Sequence, residues 1–307
     1  MTLSVQRVGN APIIHAGMCA SLGDNINGPS LIRRPAWAPG PGRYLLYFAH
    51  HMGQHIRLAV ADDPQGPWQV HAPGVLPLAD TPLVQVPPDV PQPDWAVAMG
   101  VDGLYPHLAS PEVWVDEQAR CFRMWFHGMA DDGVQVSYRA SSSDGLTWTV
   151  HGPPIPQTYL RRFTYRDQAF GMGHGGQLLR ITEDKAQLGP YLFSRSIRHV
   201  GVLAEGDRLN VLYTCIGDAP ERIFHQALDL GPGWPYWHPT GPETEMLRPE
   251  ATWEGAELPV EPSLIGATDF THALRDPVLF RDEGRIWMIY AGGGEAALGL
   301  ARIDGLD

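Results

Sequence analysis

A formal charge of -12 over 307 residues argues against nucleic acid or an anionic membrane surface as the main partner, since either demands a positive footprint; neutral or cationic ligands are favoured. Hydrophobic residues at 44% suffice for a sizeable core, and only 18% charged residues with 34 Gly and 29 Pro suit short strands and many turns better than helices. No apolar run is long enough to span a bilayer, the first eight residues lack a signal-peptide core, and the widely spaced Cys19, Cys121 and Cys215 offer no disulfide framework, so a cytoplasmic protein is expected.

In chain order, residues 1–28 read as an irregular lead-in ending in the turn-rich Gly23-Asp-Asn-Ile-Asn-Gly28. Short apolar runs then follow at Pro29–Ile32, Tyr44–Phe48 and Ile56–Ala61, closed by Gly66-Pro67-Trp68. Each run has three to six residues bounded by Gly or charge, which predicts strands. A connector over 76–103, with Val86–Trp95 at its centre, is too proline-dense for a central strand. The same grammar returns at Pro111–Trp114, Phe122–Phe126 and Val134–Tyr138, closing on Trp148. A weaker copy is read at Gln168–Met172, Gln177–Ile181 and Tyr191–Phe193, and a fourth at His199–Leu203, Leu209–Tyr213 and Ile223–Leu228, closing on Trp234. An acidic insertion over 235–270 carries Glu243, Glu245, Glu250, Glu254, Glu257 and Glu261; a fifth copy follows at Val278–Phe280, Ile286–Ala291 and Ala297–Ala301.

Repetition of a short sheet unit marks a radial β architecture. The reading is all-β: one five-bladed β-propeller domain over 1–307, with blades near 29–70, 107–150, 160–195, 198–236 and 272–303. If the first strand of each unit is innermost, the mouth of the axis collects Asp24, Asn25 and Asn27, then His107 and Glu112, then Arg166 and Asp167, then Arg198 and His199, then His272, Arg275 and Asp276. His50, His51, Arg57, Glu221, Arg222, Glu257 and Glu261 are further candidates near it. Packing alone would favour apolar residues at such repeated positions, so their convergence predicts a small polar-ligand site.

The histidines admit two readings. Some of the 13, with a carboxylate, would make a divalent-metal site, although no compact motif such as His-Glu-x-x-His is present; otherwise they hydrogen-bond a ligand or the backbone. Arg57, Arg198, Arg222 and Arg275 need carboxylate partners if buried, or grip an acidic sugar. Trp68, Trp148 and Trp234 read as blade-closing packing residues, and Trp114, Trp125 and Trp287 as core. Trp37, Trp95, Trp237 and Trp253 fall on connectors and are candidates to stack a sugar ring.

Arg275-Asp276-Pro277-Val-Leu-Phe280 resembles the Asp-Pro strand opening of five-bladed glycoside hydrolases, the group of families 43, 32 and 62, and Ser110-Pro111-Glu112-Val113 is similar to their Ala-Pro-Asp-Val opening. Asn25–Ile32, Tyr47–His51, Ile216–Arg222 and Glu254–Leu258 look like a widespread bacterial glycosidase-like group. The resemblance implies a propeller acting on a small saccharide or glycoside. In those families a base stands at the first blade, a pKa-setting Asp at the second and an acidic Glu near the third. Here Glu112 keeps the second place, Gly28-Pro29 occupies the first with Asp24 nearest, and the third has no Glu from His151 to Thr182, only Asp167. Asp24, Glu112 and Asp276 are therefore the expected catalytic carboxylates, with Glu257 or Glu261 as other sources of the acid. A lyase, isomerase or metal-dependent enzyme using the His and Arg residues, or a non-catalytic sugar-binding propeller, fits the same residues.

Overall fold

The computed structural model describes residues 3–182, 185–266 and 269–306. Its strands are β1 (Ser4–Arg7), β2 (Ile14–His15), β3 (Asn27–Arg33), β4 (Tyr44–Ala49), β5 (His55–Ala61), β6 (Gln69–Pro77), β7 (Leu108–Asp116), β8 (Cys121–Met129), β9 (Gln135–Ser142), β10 (Thr149–Ile155) and β11 (Arg161–Tyr165). They continue with β12 (Gln168–Met172), β13 (Gln177–Ile181), β14 (Ala186–Tyr191), β15 (Ile197–Glu205), β16 (Arg208–Cys215), β17 (Ile223–Asp229), β18 (His238–Leu247), β19 (Leu274–Asp282), β20 (Arg285–Gly292) and β21 (Ala297–Asp304). A single turn and a half of helix, α1 (Asp94–Met99), interrupts the proline-rich connector and ends at Gly100 in the left-handed region.

The sheets are β3-β4-β5-β6, β7 to β10, β11 to β14, β15 to β18 and β19-β20-β21-β1, all antiparallel, giving a five-bladed β-propeller. The first strand of each unit is the innermost. Ser30 Oγ accepts the Val113 N–H at 2.9 Å, and Arg161 Nη1 donates to the Pro111 carbonyl at 3.0 Å, joining β3 to β7 and β7 to β11. On β15, Gly201 lies so near β19 that a Cβ there would meet the Pro277 carbonyl oxygen at 2.5 Å. No described helix is long and apolar enough to cross a membrane.

Four inter-blade cores are thick. Tyr47, Leu58, Val113 and Phe126 fill the first, for example, and Ile14, Phe48, Trp287 and Leu298 the one between the last blade and the first. Between the second and third blades only Trp125, Ile155, Leu160, Leu179 and Ile181 are buried together. The strands of the third blade have five or six residues, against seven to nine in the second, so its outer part offers less apolar surface to cover.

Several expectations need correction. Residues 1–28 are not merely a lead-in: β1 pairs with β21 from Ser4↔Asp304 to Arg7↔Ala301, so the N-terminal segment supplies the outer strand of the last blade and the ring closes on both chain ends. The third blade, expected near 160–195, has an inner strand, Arg161–Tyr165, ahead of the first strand expected at Gln168. Its first strand was missed because Arg161-Arg-Phe-Thr-Tyr165 alternates polar and apolar instead of running apolar. The fourth blade extends through Leu247, so much of the acidic stretch is outer strand, and Glu243 and Glu245 are occupied by Arg195, Tyr213, Arg222 and Arg248 on the blade surface. Part of that insertion, residues 267–268, lies outside the described residues.

Closure depends on Glu254. It is fully buried, accepts from Arg7 Nε and Nη2 at 2.8 Å, from Tyr290 Oη at 2.8 Å and from the Glu250 and Ala251 N–H groups, fixing the insertion against β1. Burial raises its pKa, but these donors outweigh it and hold the carboxyl below its ordinary value. Glu254→Ala is expected to cost about 2–4 kcal/mol in urea unfolding, because charged hydrogen bonds are lost and buried donors are left unpaired; a loss below about 0.5 kcal/mol would contradict this role.

Candidate active site at the propeller mouth

Two residues of β3, β7 and β19 bulge out of register with the second strand: Gly28-Pro29, Ser110-Pro111 and Asp276-Pro277. The residue before each proline has positive φ, 56° for Gly28, 45° for Ser110 and 48° for Asp276. A Cβ on Gly28 would come within 2.8 Å of Ser110 Cα, so only glycine fits where the first blade meets the second. For Ser110 and Asp276 the same conformation is strained, as backbone at functional sites often is. The bulges bring all three residues to the axis.

Asp276 is 2% exposed, and its Oδ2 has no hydrogen-bond partner among the described residues. Oδ1 lies 3.4 Å from His199 Nε2. Burial and the charge of Glu295 push the Asp276 carboxyl up to about 7, against the opposing pull of Arg161, the Gly28 N–H and Arg275. Glu295, in the turn between β20 and β21, has the opposite fate. It too is buried, but it accepts Asn27 Nδ2 at 2.6 Å, Arg275 Nη1 at 3.0 Å and Asn25 Nδ2 at 3.1 Å, and lies 3.3 Å from His51 Nδ1. Burial works against ionisation, yet His51, Arg275 and Asn27 hold its carboxyl well below the usual range.

Arg275 continues the charge chain. Its Nε lies 3.0 Å from Glu221 Oε2, and Nη2 donates to Ser263 Oγ and the Ile265 carbonyl. Glu221 is fully buried and also accepts from Arg198 Nε at 2.9 Å, while Arg198 Nη2 reaches the Ser263 carbonyl. Ser263–Gly266, the tip of the second insertion, is thereby fastened over the mouth.

Around this floor runs a girdle of rings. Tyr105 Oη and His51 Nε2 are 2.6 Å apart; the Tyr105–His107, His107–His127 and His127–Tyr159 centroids lie 4.8, 5.8 and 4.2 Å apart, and Tyr159 meets His199 and His174. Burial lowers the imidazoles of His107 (to about 4), His127, His174 and His199, so they are neutral at physiological pH. His51, Tyr105, Tyr159, His174, Arg198, His199 and Glu295 line a cavity of about 620 Å³, while His107, His127, Arg275 and Asp276 are buried outside its lining. Its rim is apolar and open to solvent: Trp95 of α1 (50% exposed), Met99, Val134 and Leu264. Among the described residues, no three His, Cys, Asp or Glu side chains are grouped as metal ligands would be.

The structure thus gathers Asn25, Asn27, His51, His107, Arg198, His199, Glu221, Arg275 and Asp276 at or just beneath the mouth. Others lie elsewhere. Asp24 has a side chain 95% exposed, 3.7 Å from His50 Nε2 at the rim. Glu112 directly follows its bulge and belongs to a separate axial cavity of about 360 Å³, held by Arg161 Nη1 at 3.1 Å and the Arg162 N–H at 2.9 Å. Arg166 and Asp167 form the hairpin turn between β11 and β12, at the far end of the blade. Arg57 is buried against the Asn25 carbonyl with no carboxylate partner among the described residues, and burial lowers it to about 10. Arg222 pairs with Glu245 and sits over Phe224, Glu257 takes the Thr252 hydroxyl, and Glu261 and His272 border a side cavity of about 300 Å³. Of the four connector tryptophans only Trp95 lines the mouth. Trp237 is core, Trp253 packs on Gly292 and Gly299, and Trp37 packs on Phe122.

Glu295, Tyr105, Tyr159 and Gln157 were not among the sequence candidates. Glu295 had one signal, a lone acid after Gly292-Gly-Gly; Gly292 and Gly293 are small because Trp253 and Phe270 cover them.

No family model matches the chain. A protein of Acanthamoeba polyphaga mimivirus, named Uncharacterized protein R118, is 32% identical over 333 aligned positions, covering 98% of this chain and 90% of that one. The chain belongs to the R118 family. Among solved structures, a GH43_1 enzyme from Xanthomonas citri complexed with xylotriose matches with a TM-score of 0.59 and 11% identity over 96% of this chain and 88% of that one. An exo-beta-1,3-galactanase from Phanerochaete chrysosporium with beta-1,3-galactotriose gives 0.58 and 10%, over all of this chain but 65% of that one. An exo-1,5-alpha-L-arabinanase from a bovine ruminal metagenomic library gives 0.52 and 13%, over 92% and 94%. This R118-family chain is a glycoside hydrolase-like five-bladed propeller in fold.

Proposed function

We propose that the protein is a glycosidase acting on a small saccharide or glycoside held in the mouth cavity, with Asp276 as proton donor and Glu295 as its ionised partner. The observation that carries the reading is the divergence of two neighbouring carboxyls, one pushed up to about 7 and one held well below the usual range. Such a split is what bond cleavage between sugars needs: one carboxyl protonated for the leaving oxygen, one negative to balance the developing cation. Neutral imidazoles, Gln157 and Arg198 supply donors and acceptors for sugar hydroxyls, while the apolar rim suits an aglycone or a second ring face. The solved neighbours that hold xylotriose or galactotriose support a saccharide as ligand.

A second reading, saccharide binding without cleavage, is favoured by one feature: Glu112, Glu221 and Glu295 are each clamped by arginine, while Asp276 has, among the described residues, no arginine within ion-pair distance. Incubation with 4-nitrophenyl xylosides, arabinofuranosides and galactosides, with product analysis, separates the two. The leading reading expects turnover of at least one substrate; saccharide-induced thermal stabilisation with no product from any would establish the second.

A further inference from the structure

The lining of the mouth cavity changes character with depth. At its inner end stand Glu295, His199 and Arg198, which are 3%, 5% and 7% exposed. At its outer end stand Trp95, Met99, Val134 and Leu264, which are 50%, 39%, 54% and 53% exposed. Among the described lining residues, ordinarily charged side chains are confined to Glu295 and Arg198; the acids of the outer segments, Asp94, Asp131 and Asp132, lie outside the lining.

The outer apolar side chains sit on anchored backbone. Trp95 and Met99 belong to α1, whose Ala96 is fully buried and accepts the Val101 N–H at 3.1 Å, while the Gly103 N–H is bound to Gln92 Oε1 at 2.8 Å. A Cβ on Gly103 would come within 2.7 Å of Ala96 Cβ, so this return turn is packed hard against the helix. Val134 follows Gly133, where a Cβ would meet a Val90 methyl at 2.7 Å, which seats the turn between β8 and β9 against the same connector. Leu264 lies between Ser263 and Ile265, the two residues that Arg198 and Arg275 fasten. Three separate segments thus hold apolar side chains at one opening, where exposure to water is unfavourable unless a ligand covers them.

We propose that the mouth takes an amphipathic glycoside: one sugar ring at the polar inner end, and an aryl or alkyl aglycone against Trp95, Met99, Val134 and Leu264. This rests on the mouth being the saccharide site, and holds whether or not the ligand is cleaved there. A second sugar at the outer end would bring its hydroxyls to four side chains whose one strong hydrogen-bonding group is the Trp95 indole N–H. An apolar aglycone removes the same surface from water without stranding a hydroxyl. The cavity, about 620 Å³, has room for both parts.

Isothermal titration tests this by comparing phenyl β-D-xylopyranoside with methyl β-D-xylopyranoside and xylobiose, and then phenyl with methyl α-L-arabinofuranosides and β-D-galactopyranosides. In at least one series the phenyl glycoside is expected to bind about tenfold or more tighter than the methyl glycoside, the worth of burying an aromatic ring; xylobiose is not expected to bind tighter than phenyl xyloside. Trp95→Ala removes that advantage, whereas Tyr236→Ala, at a side chain outside the lining and 73% exposed, keeps it. Equal affinity of phenyl and methyl glycosides in every series that binds, or tighter binding of xylobiose, would overturn the aglycone assignment and leave the saccharide site standing. No binding by any of these glycosides would overturn both. An advantage that survives Trp95→Ala or disappears in Tyr236→Ala would also overturn the assignment, as would sedimentation as a dimer that Trp95→Ala dissociates. Circular dichroism checks each variant; if Trp95→Ala fails to fold, Val134→Ser takes its place with the same criterion.

Discussion

Arg275→Ala is expected to lower the free energy of unfolding by about 3–5 kcal/mol, a large part of the roughly 5–15 kcal/mol that holds a domain together. The guanidinium lies within 3.0 Å of both Glu221 and Glu295, and it ties Ser263 and Ile265 to the blade. Removing it leaves two carboxylates in a desolvated site with one arginine, Arg198, reaching only Glu221. Arg275→Lys should recover part of the loss, since one ammonium restores charge but cannot reach two carboxylates, a hydroxyl and a carbonyl together. Urea unfolding of the three proteins checks this; a loss of less than about 1 kcal/mol for alanine would mean that the charge chain does not support the mouth.

Asp276→Asn is expected to separate stability from activity. The carboxyl titrates near 7 when folded and near 3.8 when unfolded, so the unfolded chain gives up this proton first as pH rises. Wild type is therefore fully favoured below pH 4 and loses stability between about pH 4 and 7, by about 1.4 kcal/mol for each unit of separation. Asparagine matches the shape, tolerates the positive φ and carries no ionisable proton. The variant should equal wild type near pH 4 and melt higher at pH 8. Turnover should fall about a hundredfold or more, the usual worth of a positioned general acid. Melting curves across this pH range, beside rates on a confirmed substrate, check both halves; a variant that melts lower at pH 8, or that turns over normally, would remove Asp276 from its assigned role.

The repeat was legible because the units share a local pattern of short apolar strands separated by charged or glycine turns, closed by tryptophan in three of them, Trp68, Trp148 and Trp234. Side-chain destination was less so. The two-residue bulges at Ser110-Pro111 and Asp276-Pro277 shift alternation by a step that hydrophobic pattern does not reveal, so Asp276 is buried beside His199 beneath the mouth while Glu112 lines a separate cavity on the axis. Asp24 had the right position in sequence, but the turn before β3 points its neighbour Asn25 inward and leaves Asp24 in solvent. Tyr105 and Tyr159 come from connectors, where no periodicity exists to read. Glu295 acquires its role only through Asn27, His51 and Arg275, all distant in sequence except the last.

The most direct test is a crystal structure of the protein with a saccharide identified by thermal shift or turnover. A sugar ring in the 620 Å³ cavity, hydrogen-bonded to His51, Glu295, Arg198 or His199 with its glycosidic oxygen turned toward Asp276, is the predicted result. A saccharide bound on the outer blade surface, with the mouth left to water, would contradict it.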